Sequence, residues 1–278
     1  MTLEKLLDEL RYEKETEQAL LKKWNKRGSV VQAIAETAYC GENFDYFLCG
    51  RMPLTRLAAV TWLLLEKYDA YKERGAPDGV IFDTFRDVSL RAAQYRKRTG
   101  KPGLSKEDVI WFRHIMQVEI FKIGTLQFQP FQMIYLDEET LGEPYMIFSR
   151  EQKAWLPPGA PVLNCHIPYN ADLQKEAVDE SFRAAEAFFR DKFSSVSYRA
   201  FLCYSWMLYP PMTRRLPEDS KIRQFAERFR IIGDCPDRDQ AMETLFPGKS
   251  KSPGKTSLQN MALHHPESFG YACGIILL

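Results

Sequence analysis

A histidine at the end of one apolar run is the leading candidate for acid–base chemistry in this chain. His166 follows a run of mostly apolar residues that begins at Pro161, and a proline comes two residues later. Because histidine titrates near neutral pH, this side chain could take a proton from an attacking nucleophile. The alternative is a structural histidine that hydrogen-bonds the turn and supports the start of the next helix.

A second polar and aromatic group, Cys203 to Trp206, ends another apolar run. On a strand, Cys203 and Ser205 would share one face, and Tyr204 and Trp206 the other, so one pair could line a pocket while the other packs. A nucleophilic Cys203 would need a nearby base, and His166 is the obvious partner among the histidines. For Trp206, packing in the core is favoured over stacking on a ligand.

Three side chains near residue 220 could hold an anion. Ser220 precedes a predicted helix, where its hydroxyl would cap the helix or contact a phosphate at the helix N-terminus. Arg214 and Arg215 lie just before it and could bind the same anion, or could be solvated charges.

Gln127 could hydrogen-bond a substrate amide, although an exposed position on a strand is the favoured interpretation.

Two tempting motifs carry no function. Gly254-Lys-Thr-Ser257 resembles the end of a phosphate-binding loop, but Pro253 replaces the second glycine and a helical pattern, rather than a strand, precedes it. The pair His264-His265 has no further ligand group nearby, so no metal site is predicted. Pro247 to Lys255 is rich in Gly, Lys, Ser and Pro and is interpreted as a loop.

The elements that must position these residues change in type near residue 122. Before it, apolar residues recur at helical spacing among turn signals, which predicts an all-helical unit. After it, alternating and continuous short apolar runs predict strands mixed with helices. The predicted helices cover 2–24, a segment beginning at Val30 after Ser29, then 53–73, 80–98 and 105–121. The predicted strands cover 125–129, 133–136, 144–148, 161–167, 198–206, 230–233 and 271–278, and the remaining predicted helices 173–192, 220–229 and 238–245.

Composition narrows the class of protein. The chain has 278 residues and balanced charge, with 38 Lys and Arg against 37 Asp and Glu, so neither a nucleic-acid footprint nor an anionic-membrane partner is expected. No apolar stretch approaches the length of a membrane helix, and no signal peptide is expected. The six scattered cysteines form no C-x-x-C pair and predict free thiols in a reducing cytoplasm.

Four stretches of the second half together resemble a known family. They are Gly124-Thr-Leu-Gln-Phe128, His166-Ile-Pro168, Cys203-Tyr-Ser-Trp206 and Ser220-Lys-Ile-Arg-Gln-Phe225. In this order and spacing they resemble the C-terminal domain of the GNAT-like acyltransferases. The first half is similar, more loosely, to the helical N-terminal domain of that family, at Asp87-Val88, Tyr95, Gly100, Gly103-Leu104 and Trp111.

The resemblance implies an α+β (mixed α/β) chain, with a helical N-terminal domain over 1–121 and a GNAT-like mixed-sheet domain over 122–278. It implies transfer of an acyl group from acyl-coenzyme A, as cosubstrate, to an unidentified amine. In such enzymes the pantetheine arm enters between two parallel strands, and the pyrophosphate lies on a helix N-terminus after a glycine-rich turn. A carboxylate or a histidine accepts the amine proton, and a tyrosine or a cysteine protonates the departing thiolate.

The chain departs from that pattern at the phosphate turn. The expected glycines are missing, and the replacement that follows the first parallel strand is Pro168-Tyr169-Asn170-Ala171-Asp172, in which Asp172 would repel a phosphate. Lys221 stands where the family usually has asparagine. Pro168 and Asn170 are therefore candidate cofactor-binding residues, and a non-catalytic member of the fold that binds a small ligand or a protein is the alternative. A third hypothesis is a thiol hydrolase that uses Cys203 and His166.

Overall fold

The computed structural model describes residues 1–247 and 256–278. Within them the chain forms two compact units, Met1–Ile123 and Gly124–Leu278. The predicted loop at Pro247–Lys255 lies almost wholly outside the described residues, as do Gly254 and Lys255 of the rejected phosphate loop. Thr256 and Ser257 are described, and Thr256 caps the helix that begins at Ser257 through a reciprocal hydrogen-bond pair with Gln259. No helix in the described parts of the chain is long and apolar enough to cross a membrane.

The first unit is helical and ends in a short strand. Its elements are α1 (Leu3–Leu10), α2 (Lys14–Glu36), α3 (Pro53–Glu73), α4 (Asp78–Thr99), α5 (Lys106–Met116) and β1 (Phe121–Ile123). Pro53 occupies the first turn of α3, where no backbone N–H is needed. Ser105 and Asp108 form the capping box that opens α5, as the spacing predicted.

Two boundaries in the first unit differ from the prediction. The helix predicted over 2–24 is interrupted at Arg11, whose backbone is left-handed and whose N–H caps α1 by donating to the Leu7 carbonyl. The second predicted helix begins before Val30, because α2 consists of two helical stretches that meet at a non-helical residue, Arg27, and Ser29 lies inside the second stretch. The spacing at Ser29 therefore indicated a nearby break in the helix but misplaced it by a few residues.

The second unit is a mixed sheet with helices on its faces. Its helices are α6 (Glu138–Leu141), α7 (Arg150–Trp155), α8 (Lys175–Lys192), α9 (Pro210–Thr213), α10 (Lys221–Ala226), α11 (Asp239–Leu245) and α12 (Ser257–His264). Its strands are β2 (Leu126–Gln132), β3 (Pro161–His166), β4 (Ala200–Ser205), β5 (Arg230–Cys235) and β6 (Tyr271–Leu277). These strands lie in the order β2-β3-β4-β6-β5, in which only β3 and β4 are parallel neighbours. The predicted mixed α/β class is confirmed.

Two predicted strands are wrong. Residues 133–136 and 144–148 belong to no strand. They are extended segments with isolated backbone bonds, such as Met133 N–H to the Ala160 carbonyl and Met146 N–H to the Leu136 carbonyl. Their apolar side chains, among them Met133, Tyr135 and Met146, are buried against one face of the sheet. The burial that the pattern reported is real, but it comes from packing over the sheet and not from membership of it.

The two faces of the sheet have different covers. On one face Phe182 of α8 packs against Phe128 of β2 and Phe201 of β4, with ring centroids 5.6 and 4.8 Å apart. On the other face Val162 and Leu202 pack with the buried segment that contains Met133, Tyr135 and Met146. Side chains alternate between these faces along each strand, so the register decides which candidate residues meet.

Candidate functional site

The parallel pair at the centre of the sheet separates toward its carboxyl ends. β3 and β4 form bridge pairs at Leu163–Phe201 and Asn164–Leu202. Within the described residues, no bridge pair joins the two strands beyond these. The last residues of β3 and the last three of β4 therefore face each other without a shared ladder, and this gap is called the β3–β4 opening below.

Each of the two strands keeps its outer partner along its full length. β2 pairs with β3 as far as Gln127–His166, and β6 pairs with β4 as far as Ser205–Ala272. The opening is thus a separation of two otherwise intact ladders and not frayed chain. Because backbone N–H and C=O groups need partners, the inner edges at the opening form a place where an extended ligand can bond to main chain.

Three polar side chains meet beside the opening on one face of the sheet. Gln127 lies directly across from His166 in the β2–β3 register, and Gln129 lies two residues along the same face. The His166 ring nitrogen Nε2 is 3.1 Å from Gln129 Oε1. With Nε2–H donating to that oxygen, the other ring nitrogen, Nδ1, is the basic one.

Gln127 is buried, which contradicts the favoured interpretation of an exposed strand position. Its side chain is 1% exposed. Its amide nitrogen Nε2 has no hydrogen-bond partner in the described structure. A buried donor without an acceptor costs free energy, so an acceptor placed against this nitrogen would be stabilising. The sequence-based role as a hydrogen-bond donor to substrate stays a prediction.

Tyr204 lies on the same face as His166, across the opening. Its hydroxyl donates to the Ile134 carbonyl at 2.7 Å, and its ring stacks on Tyr271 with centroids 6.1 Å apart. Burial, followed by the neighbouring Cys273, raises the pKa of Tyr204 well above its usual value. The phenol therefore keeps its proton at neutral pH.

Cys203 and Ser205 lie on the opposite face from His166. Cys203 is 1% exposed, and it adjoins Cys165, whose pKa is raised by burial and by the Cys203 thiol. Ser205 accepts a hydrogen bond from the Met207 N–H at 3.1 Å, which closes the turn after β4. This arrangement gives no support to a Cys203–His166 pair, because the sheet itself lies between the two side chains.

Trp206 packs in the core, as the sequence favoured. It is 4% exposed, and its ring lies against Phe269 at 6.2 Å. Its backbone N–H donates to Gln240 Oε1 at 3.0 Å. A ligand-stacking role for Trp206 stays an untested prediction.

The turn after β3 leads into the N-terminus of α8. Pro168 is buried and accepts the Ala171 N–H, while Asn170 takes a left-handed backbone that turns the chain without glycine. Gln174, at the N-cap position of α8, makes no side-chain cap. The first N–H groups of this 18-residue helix are thus left for water or for an anion.

The two departures from the family pattern lie together. Lys221 Nζ is 3.9 Å from Asp172 Oδ1, at the exposed end of the turn. Asp172 is also tied back to the chain, since it accepts the Gln174 N–H at 3.0 Å. The lysine therefore offsets the carboxylate that would otherwise repel a phosphate at this helix N-terminus.

The remaining anion candidates separate from one another. Arg214 lines a cavity of about 330 Å³ together with Thr213 and Arg223. Arg215 is 3.9 Å from Glu267 instead. Ser220 stands at the N-cap position of α10 but makes no side-chain cap. The structure does not bring these three residues to a single anion site.

Gln129 is the residue of this site that sequence analysis missed. Its signal was its spacing of two from Gln127 on a strand, which places both amides on one face. The partner, His166, lies 37 residues further along the chain, so the contact depends on register. In the described residues, no group of three or more His, Cys, Asp and Glu side chains could hold a metal ion.

Comparison with known proteins agrees with this geometry. Residues 120–276 match the family model of the GNAT-like C-terminal domain, and residues 1–118 match that of the N-acyltransferase N-terminal domain. No curated protein matches the chain.

Solved structures with the same fold include three complexes of an acyltransferase. The complex with decanoyl-CoA and teicoplanin has a TM-score of 0.73 and 20% identity, over 99% of this chain and 87% of that chain. The complex with decanoyl-CoA has a TM-score of 0.72 and 19% identity. The complex with CoA and 10C-teicoplanin has a TM-score of 0.72 and 18% identity. Both cover 99% of this chain and 87% of the other. The family resemblance expected from the sequence is confirmed, and the chain belongs to the family defined by the GNAT-like C-terminal domain, here preceded by an N-acyltransferase N-terminal domain.

Proposed function

We propose that this protein transfers an acyl group from acyl-coenzyme A to an amine at the β3–β4 opening. The observation that carries the proposal is the separation of β3 and β4 beyond Asn164–Leu202, with His166 beside the gap. A flat, fully laddered parallel pair would offer no place for an extended thioester arm. The fold neighbours that hold decanoyl-CoA support the choice of donor.

The residues around the opening fit such a donor. The inner edges of β3 and β4 offer main-chain groups to the amides of a pantetheine arm. The unpartnered Nε2 of Gln127 supplies a donor for a carbonyl oxygen. The free N–H groups at the start of α8, with Lys221 nearby, suit phosphate groups.

The thioester supplies an activated acyl group, and the protein supplies position and proton transfer. His166 accepts the proton that the amine loses on attack, through Nδ1, while Gln129 holds Nε2 and fixes the ring. Tyr204 keeps its proton on the same face, where its hydroxyl, after release from the Ile134 carbonyl, donates a hydrogen bond that stabilises the departing thiolate. The thiolate takes its proton from the His166 imidazolium or from solvent, which returns His166 to its neutral form. Gln129 is a positioning residue, since it acts through His166.

The acceptor belongs to the class of small molecules with an amine. Among the fold neighbours, two acyltransferase complexes contain teicoplanin or 10C-teicoplanin, which supports a small-molecule acceptor here. An amine nucleophile agrees with a base at His166, because an attacking amine loses a proton during acyl transfer, and the match of residues 1–118 to the N-acyltransferase N-terminal domain supports this choice.

Calorimetry and a thiol-release assay test the proposal together. The full-length protein is titrated with decanoyl-CoA, and turnover with a panel of amines is followed as free coenzyme A. We expect binding and turnover. His166→Gln should lower kcat by about 10²–10⁴-fold, while leaving the Kd for decanoyl-CoA nearly unchanged. Cys203→Ala, on the other face, is the matched control and should retain most activity. Equal losses in the two variants would refute the assigned base.

A non-catalytic role is the second candidate, favoured by the missing glycines and by Asp172 in the phosphate turn. It predicts binding of decanoyl-CoA without release of free coenzyme A for any amine, and no effect of His166→Gln on what is bound. Failure of decanoyl-CoA and acetyl-CoA to bind at all would remove both forms of the proposal.

A further inference from the structure

Two buried cysteines face each other at the base of the β3–β4 opening. The ladder between β3 and β4 ends at the pair Asn164–Leu202. The next residue of each strand is a cysteine, so the register places Cys165 directly across from Cys203, as the first facing pair beyond the ladder. Both side chains lie on the opposite face of the sheet from His166, and the acid–base chemistry proposed above uses neither of them.

The outer ladders hold both cysteines in place. Cys165 pairs with Phe128 of β2, and Cys203 pairs with Gly274 of β6. Each cysteine therefore belongs to an intact ladder on its outer side, which fixes the position of its backbone. The separation of the two thiols thus depends on how far the opening itself widens.

The two thiols are neighbours in a buried environment. Cys165 is 2% exposed and Cys203 is 1% exposed. Burial, followed by the neighbouring Cys203 thiol, raises the pKa of Cys165 well above its usual value. Both residues are free cysteines in this structure. The base of the opening therefore carries a reduced dithiol, drawn from two strands that no other bridge pair joins beyond this point in the described residues.

The other two cysteines of the second unit are separated from this pair. Cys235 and Cys273 pack on the opposite face of the sheet, in the cluster that contains Val162. Cys273 pairs with Tyr204 and not with Cys203 in the β4–β6 register. Since the sheet lies between the two sets of thiols, the register favours one partner for Cys203, which is Cys165.

The spacing of neighbouring strands suits a disulfide at this position. Adjacent strands lie about 4.7–4.9 Å apart. Two residues joined by a disulfide have Cα atoms about 4.4–6.8 Å apart. A disulfide at the first facing pair beyond the ladder therefore needs little movement of the backbone.

A bound thioester arm needs a different spacing of the same two strands. An extended arm that bonds to both inner edges takes the place of a strand, so those edges must lie about two strand spacings, or about 9.5 Å, apart. That separation exceeds the reach of a disulfide, which is about 6.8 Å between Cα atoms. A disulfide and an arm inserted between these two residues therefore exclude each other.

We propose that Cys165 and Cys203 form a reversible disulfide that closes the β3–β4 opening to acyl-coenzyme A. A peroxide is the oxidant. Hydrogen peroxide converts one thiol to a sulfenic acid and releases one water, and the second thiol then attacks that sulfur and releases a second water. Two S–H bonds break, one S–S bond forms, and two electrons pass from the sulfur atoms to the peroxide oxygens. A dithiol reductant reverses the step and is itself oxidised to a disulfide.

The formation of this disulfide does not depend on acyl transfer, whereas its effect on acyl-coenzyme A rests on the proposed function. Because the thiols are buried, the oxidation is slow and requires movement at the opening. A bound arm holds the strands apart and lies between them, so acyl-coenzyme A should protect the thiols.

Mass spectrometry of the oxidised full-length protein tests the disulfide. Cys40→Ser removes the exposed thiol, which would otherwise join two molecules. After several hours in millimolar hydrogen peroxide, we expect this variant to lose about 2 Da and to yield a peptide pair joined through Cys165 and Cys203. The added change Cys203→Ala should abolish the joined pair, whereas Cys235→Ala, on the other face, should leave it. Free thiols at both positions, or a disulfide to another cysteine, would overturn the proposal.

Calorimetry with decanoyl-CoA tests the closure. We expect the reduced protein to bind, the disulfide form to bind at least about tenfold more weakly, and dithiothreitol to restore the affinity. Saturating decanoyl-CoA should slow formation of the disulfide severalfold. A disulfide form with unchanged affinity would contradict the closure. A reduced protein that forms the disulfide but does not bind decanoyl-CoA would refute the proposed function and, with it, the role of the disulfide in closing the opening.

Discussion

Two glutamines on one strand allow a direct test of the candidate site. Gln127 and Gln129 lie on β2, share a face, and are both nearly inaccessible, at 1% and 5% exposure. The amide of Gln129 bonds to His166, whereas Nε2 of Gln127 has no partner. Replacing each by methionine keeps length and approximate volume, so the two variants differ chiefly in the hydrogen bond that is lost.

The expected effects on stability have opposite signs. An unsatisfied buried polar group costs about 1–3 kcal/mol, so Gln127→Met should raise the free energy of unfolding of the ligand-free protein by about 1 kcal/mol. Gln129→Met loses the hydrogen bond to His166, worth about 0.5–1.5 kcal/mol, so it should lower that free energy. A change of 1 kcal/mol corresponds to about 2–4 °C in melting temperature for a unit of this size.

Urea unfolding measures the stability of each variant, and calorimetry measures its affinity for decanoyl-CoA. We expect Gln127→Met to be more stable without ligand and to bind decanoyl-CoA about tenfold more weakly, because the missing donor is needed only when an acceptor is present. Gln129→Met should instead lower kcat while binding remains. If Gln127→Met destabilises the ligand-free protein as much as Gln129→Met does, its amide already has a partner and the reasoning fails.

Three further changes test the packing that supports the two units, each by urea or thermal unfolding. Gly233→Ala should lower the free energy of unfolding by about 1–3 kcal/mol, because a Cβ at this position would lie 2.5 Å from Phe148 Cε1. An unchanged stability would mean that the Phe148 ring can move away freely. Asp87→Ala should lower the free energy of unfolding by about 1–3 kcal/mol, since it removes the buried acceptor of the Trp111 indole N–H, which donates at 2.8 Å, and one of the two carboxylates that pair with Arg91, the other being Asp108. Asp87→Asn keeps an acceptor oxygen and should cost less, so a larger cost for Asp87→Asn would contradict this. The Tyr145 hydroxyl donates a hydrogen bond to Asp237 Oδ2 at 2.6 Å and lowers the pKa of that carboxyl, so Tyr145→Phe should lower the free energy of unfolding at neutral pH. The difference between the two proteins should shrink as acid protonates Asp237 in both. A difference that does not change with pH would show that Asp237 is not its cause.

The sequence predicted the starts of helices correctly where the residues that form the cap lie close together in the chain. Ser105 and Asp108 are three residues apart, and their reciprocal hydrogen bonds open α5 as predicted. Pro53 likewise starts α3. The wrong strands at 133–136 and 144–148 have the same physical origin: apolar alternation reports burial, and burial on top of a sheet has the same pattern as burial within it.

The candidate site was only half predictable for a similar reason. His166 and Tyr204 were identified from residue type and position in the chain. That they share a face, and that Cys203 does not, follows from pairing between segments nearly 40 residues apart. The burial of Gln127 depends on the same long-range register, so a polar residue on a strand looked exposed when taken alone. The compensation of Asp172 by Lys221 likewise joins positions 49 residues apart.

The short ladder between β3 and β4 has a consequence for motion. The sheet consists of a β2–β3 ladder and a β4–β6–β5 ladder that are joined along the sheet by two bridge pairs. The β3–β4 ladder ends at Asn164–Leu202, so those amide hydrogens of residues 165–166 and 203–205 that point into the opening should exchange with solvent sooner than amides bonded within the two ladders. A thioester arm that bonds to both inner edges would fill the opening, and slowed exchange at those amides would report its arrival before any chemistry takes place.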